Sequence, residues 1–97
     1  MRILYRVEAE RDVANAWDWY QQQQDELGRL FLTVLRQAET LLRTHPTAFP
    51  IAHGAYRRML LHRFPYAVYY RPLDASTLEI GAVLHQRQDP HLLHERA

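Results

Sequence analysis

The chain has no cysteine, which excludes a disulfide framework and any thiolate metal site and fits a reducing cytoplasm. It has no lysine either. All 12 strong cations are arginines, planar donor forks suited to carboxylates, phosphates and aromatic faces; a GC-rich genome produces the same bias. No apolar run approaches the ~20 residues of a membrane span. The first ten residues, MRILYRVEAE, lack the apolar core of a signal peptide. Neither an internal repeat nor a linker interrupts the 97 residues, so one domain over residues 1–97, cytoplasmic and free of the membrane, is the expectation.

The net charge of +1 says less than its distribution. Residues 1–54 hold six arginines against seven acids, and residues 55–97 hold six against four. The most informative stretch is 56–90, YRRMLLHRFPYAVYYRPLDASTLEIGAVLHQRQDP. Three runs in it, 56–63, 66–71 and 77–85, are rich in β-branched and aromatic residues. Phe64-Pro65 divides the first two, and Pro72 to Ser76 divides the last two, where proline removes a ladder donor and Asp and Ser favour turns. The runs predict a three-stranded antiparallel meander. It carries Arg57, Arg58, Arg63, Arg71, His85 and Arg87, with no acid between Tyr56 and Leu73, and so points to an anionic or polar partner.

Residues 3–7 form a short strand candidate at an edge. From about Ala9 the apolar residues Ala9, Val13, Ala16, Trp17 and Tyr20 recur at helical steps, with Glu8, Glu10 and Asp12 at the start, where they complement the helix dipole. Trp19 falls on the flank of this stripe. Asp25 is the expected N-cap of a second helix, in which Leu27, Leu30, Phe31, Val34, Leu35, Ala38, Leu41 and Leu42 hold the period over four turns. Gly28 near its start implies a close backbone approach. His45-Pro46 ends it, a loop runs to Gly54, and the polar tail 91–97 is expected to be mobile.

The resulting order is β-α-α-β-β-β, an α+β fold with a helix hairpin packed on one face of an antiparallel sheet, leaving the other face open. Alternation along the last strand places Leu78, Ile80, Ala82 and Leu84 toward the helices, and Glu79, Gly81, Val83 and His85 on the open face. In the middle strand the Ala67, Tyr69, Arg71 set points outward. His45, His53 and His62 are expected at the surface. His91-x-x-His94 has helical ligand spacing, but no third ligand is evident, so no metal site is predicted.

These residues together resemble the RelE/ParE toxin superfamily. The resemblance rests on Trp19-Tyr20, Leu27-Gly28 with Phe31, Pro46, Phe49-Pro50, Arg57-Arg58, Phe64-Pro65-Tyr66, Tyr69-Tyr70 and the segment Ala82 to Pro90, AVLHQRQDP. It spans nearly the whole chain and is nearest to ParE-like plasmid-stabilisation proteins. It implies the toxin of a type II toxin–antitoxin pair, without a cofactor and silenced by a cognate antitoxin. ParE-like members inhibit DNA gyrase by protein–protein contact. RelE-like members instead cut mRNA on the ribosome.

A metal-free nuclease needs a base, an acid and charge stabilisation. Here only Glu79, His85 and Arg58 (or Arg63 or Arg71) offer them. The lysine cluster on which RelE-like nucleases rely is absent, and the C-terminal aromatic of some members is replaced by His85 to Pro90. The favoured reading is therefore the gyrase inhibitor, with no catalytic residue. Arg57, Arg58, Arg63, Arg71, His85, Arg87 and Trp19 then contact the target or antitoxin. The weak net charge argues against direct specific DNA binding.

Overall fold

The computed structural model describes residues 1–96. A short strand β1 (Arg2–Tyr5) leads into helix α1 (Val7–Gln23) and then α2 (Leu27–Thr44). Four strands follow: β2 (Ile51–His53), β3 (Tyr56–Leu60), β4 (Tyr66–Asp74) and β5 (Thr77–His85). A last short helix is α3 (Leu92–Arg96). The order β1-β5-β4-β3-β2 makes one five-stranded sheet. The expected sequence of elements stands, with β2 and α3 as additions. The sheet is mixed, because β1 pairs parallel with β5. No helix among the described residues is long and apolar enough to cross a membrane.

The helix hairpin turns at Glu26, the N-cap of α2, which takes a left-handed φ of 73° and makes no side-chain cap; the expected cap Asp25 lies one residue too early. Gly28 instead fixes the corner. A Cβ there would lie 2.7 Å from Gln21 Oε1 and 2.9 Å from the Trp17 ring, and its N–H donates to that same Gln21 oxygen at 3.1 Å. The core lies between this hairpin and one face of the sheet. Ala9, Ala16, Phe31, Val34, Leu35, Ala38 and Leu42 meet Met59, Val68, Tyr70, Leu78, Ile80 and Val83. At one end Tyr20, Phe31 and Phe64 interlock edge-on or stacked with centroids 4.8–5.6 Å apart, spacings at which aromatic pairs attract beyond simple burial. Phe64 gets there because the β3–β4 turn is tight, with Arg63 at φ 71°.

The expected two-residue alternation along β5 fails at its middle. Tyr69 pairs with Ala82 but Tyr70 pairs with Ile80, so Gly81 is an extra residue, a β-bulge. Leu78, Ile80 and Val83 consequently face the helices, whereas Ala82 and Leu84 face the other side with Tyr56, Ala67 and Tyr69. Glycine is required there because a Cβ would sit 2.5–2.7 Å from the Tyr56 ring. Nor is that second face open. α3 folds across it, burying Leu93 in the cluster with Tyr56, Ala67, Tyr69, Ala82 and Leu84, so the tail is a docked element rather than a mobile one; Ala97 lies outside the described residues.

Gly81→Ala should therefore drive Tyr56 from its seat. Overpacking of this kind costs about 1–3 kcal/mol, which urea melts will read as a lower midpoint with an unchanged m-value. A variant as stable as the parent would contradict the bulge.

Candidate functional site

The bulge decides which predicted residues can work together. Glu79 lies on the α3 side, where Tyr56 Oη donates to its Oε1 at 2.7 Å and Arg71 Nε donates to the same oxygen at 3.0 Å. Arg6 Nη1 stands 3.5 Å from Oε2, and the Arg71 guanidinium lies over the Tyr56 ring, 4.8 Å from its centroid. Burial alone would raise the Glu79 pKa, but the Tyr56 hydrogen bond and the Arg71 and Arg6 charges outweigh it and hold the carboxyl below its ordinary value. Burial, reinforced by the Glu79 hydrogen bond, pushes the Tyr56 hydroxyl up to about 12. Glu79 is thus an ionised, fully engaged carboxylate.

His85 sits on the other side of the sheet. Its cross-strand partner is Tyr66, a residue of the helix-side core, and the two rings meet edge-on at 5.2 Å. The expectation that Glu79 and His85 share a face is corrected by the Gly81 bulge, which reverses the alternation between them. The Arg87 backbone N–H donates to His85 Nδ1 at 3.1 Å, leaving Nε2 to carry the proton of the neutral ring. Gln88 Oε1 accepts from the His85 backbone N–H at 2.9 Å. Both bonds tie down the turn after β5.

His85 and Trp19 are brought together instead. They line a groove of about 320 Å³ between α1 and the end of β5, with Asp12, Asn15, Tyr66 and Gln88 among the other walls. Trp19 is 55 % exposed and packs edge-on against Tyr20 at 5.1 Å. A second, mostly apolar groove of about 460 Å³ lies between the helix hairpin and the end of β1, lined by Tyr5, Val13, Trp17, Leu32 and Leu35 with Glu10, Arg36 and Glu39 at its margin; Trp17 is 38 % exposed. Each groove therefore carries a partly exposed tryptophan in its wall.

The remaining arginines divide by task. Arg57 lies on the helix side, and its Nη1 donates to Phe49 O at 2.7 Å and Thr47 O at 3.3 Å, so it secures the α2–β2 loop. Arg71 belongs to the Glu79 network. Arg63 is exposed at the β3–β4 turn. Arg58 is half-buried on the α3 side, borders a shallow pocket with Ala52, Tyr69, Gln86 and Gln88, and keeps a buried Nε without a partner. Arg87 is exposed. Among the described residues neither Arg58 nor Arg87 pairs with a carboxylate.

Sequence reasoning missed two parts of this arrangement. Arg96 grips Asp12 through two bonds of 2.6 and 2.8 Å. His53, expected at the surface, is half-buried beside His91 and His94. The partners in each case are far apart along the chain.

A helix hairpin packed on one face of a mixed five-stranded sheet makes this a small α+β protein. A model of the family described as "ParE toxin of type II toxin-antitoxin system, parDE" matches residues 3–90, and the chain belongs to that family. Among solved structures the fold is similar to one titled "Chromosomal ParDE TA system from P. aeruginosa", at 16 % identity and a TM-score of 0.73, over 88 % of this chain and 95 % of that one. No curated protein matches.

The Glu79 network carries a pH signature. A carboxyl whose folded pKa is depressed stabilises the fold above its unfolded value, and that contribution disappears as pH falls through the folded pKa. The parent should exceed Glu79→Gln in stability by about 1–3 kcal/mol at pH 7, and the gap should close as pH drops below the ordinary 4.5. Parallel stability curves down to pH 3 would contradict an ionised, paired Glu79.

Proposed function

We propose that this ParE-family chain is a cytoplasmic toxin that inhibits DNA gyrase by protein–protein contact and is neutralised by a cognate antitoxin. The observation that carries the reading is the separation of the acid–base candidates. Glu79 is held by Tyr56, Arg71 and Arg6 on one face, while His85 lies on the other against Tyr66. General acid–base catalysis needs both groups within hydrogen-bond reach of one substrate. The groups free to engage a partner are the exposed Trp19 and Trp17, with Arg58, Arg63 and Arg87. Aromatic and arginine side chains dominate the energetics of protein interfaces. The antitoxin, on this reading, covers the Trp19–His85 groove and the apolar groove of the hairpin, since α3 already occupies much of the second sheet face.

The test is a supercoiling assay with the purified chain, run beside a translating extract that reports message cleavage. Supercoiling should fail, message should stay intact, and addition of the antitoxin should restore supercoiling. His85→Gln should remain inhibitory, because Gln offers an acceptor of similar reach to the Arg87 N–H and a single imperfect hydrogen bond costs no more than about 1 kcal/mol. Arg58→Ala and Arg87→Ala should weaken inhibition with the thermal melt preserved. Cleavage of ribosome-bound message, abolished by His85→Gln in a folded protein, would assign the chain to the nuclease branch instead.

A further inference from the structure

The half-motif His91-x-x-His94 acquires its third member from the far edge of the sheet. His53, the last residue of β2, reaches α3 so that the ring centroids of His53 and His94 lie 4.3 Å apart and those of His53 and His91 5.4 Å apart. One ring nitrogen from each of the three histidines lies within 4.8 Å of the others. The Nε2 of His53 is buried and has no hydrogen-bond partner, a state that costs free energy unless a ligand satisfies it. The Asx turn in which Asp89 Oδ1 accepts from the His91 backbone N–H at 2.9 Å fixes where His91 enters.

We propose that His53, His91 and His94 bind a divalent transition metal ion, zinc being the best fit, and that the ion fastens α3 to β2. Neutral imidazole suits zinc, copper and nickel, whereas magnesium and calcium require oxygen ligands. Zinc–nitrogen bonds of 2.0–2.1 Å in a tetrahedral site place ligand nitrogens about 3.3 Å apart. The exposed side chains of His91 and His94 can rotate to close that distance without moving the backbone. The fourth position falls to water. Metal binding would thus add a third attachment to an element already held by Leu93 in the α3-side cluster and by the Arg96–Asp12 pair. None of the three histidines is used in the proposed contact with gyrase, so the site stands or falls independently of it.

The test uses the full chain without an affinity tag, stripped with a chelator and titrated with zinc chloride in a calorimeter, with magnesium as the control. One zinc should bind per chain and magnesium should not. At a hundredfold excess over Kd the melting temperature should rise by about 10–20 °C. His53→Asn, His91→Asn and His94→Asn should each weaken binding at least about tenfold. The two exposed positions should keep the metal-free melt of the parent, so they decide the matter if His53→Asn misfolds. No uptake, or uptake that survives His91→Asn and His94→Asn, overturns the site.

Discussion

Asp12 on α1 and Arg96 on α3 close a gap that the sheet leaves in itself. β1 covers β5 only from Thr77 to Ile80, and Gly81 then breaks the register with β4. Past that point β5 has no strand on its β1 side, although β4 continues to pair with it on the other. The Val83 N–H donates to Asp12 Oδ2 at 3.0 Å, and Arg96 Nη1 donates to Gly81 O at 3.1 Å while also gripping that same Asp12 oxygen. Arg6 Nη2 donates in turn to Arg96 O at 2.9 Å. Buried backbone groups are nearly always satisfied, and here two side chains supply what a sixth strand would. The same pair clamps both helices to the sheet. The hydrogen bond to Asp12 raises the Arg96 pKa above its ordinary value.

On either side of that clamp the sheet presents two faces of different composition. Much of the α3 side is consumed internally, by the Glu79 network and by Leu93 over Ala82 and Leu84, with Arg58 left at the margin. The helix side beyond the bulge opens into the groove that holds Trp19 and His85, and Asp12 lines that groove as well as serving the clamp. In the proposed contact, an exposed tryptophan beside a hydrogen-bonded strand end would be preorganised, which reduces what binding must spend on ordering side chains. The absence of lysine acquires a local meaning in this setting. Arg96 meets both oxygens of the Asp12 carboxylate with two nitrogens, a geometry a single ammonium does not reproduce.

Much of this was legible along the chain because it is local. The helical period of Leu27 to Leu42, the prolines at 46 and 65, and the close approach at Gly28 each predicted the feature they now mark. Alternation served the middle strand, where Arg71 and Tyr69 do face away from the helices. It failed in β5, which is buried on both faces and therefore offers no polar–apolar rhythm to betray a slip; Gly81 inside the strand was the available signal. The apolar pair Leu92-Leu93 likewise hinted at a docked tail in a segment that composition alone marks as polar. β2 is three residues long and has no pattern to read. Asp12 with Arg96, and His53 with His94, join the two ends of the chain or an edge strand to the tail, and a single sequence carries no trace of such pairings.

The dependence of the fold on the Asp12–Arg96 clamp is open to a double-mutant cycle. Asp12→Ala, Arg96→Ala and the pair, measured by chemical denaturation, isolate the coupling between the two side chains. Both are largely shielded from solvent, with side-chain exposures of 12 % and 16 %, so the bond should count for more than the ~0–1 kcal/mol of an exposed pair. A coupling energy of about 1–3 kcal/mol is predicted, with α3 amides losing hydrogen-exchange protection in either single variant. Additive effects with α3 still protected would contradict the account.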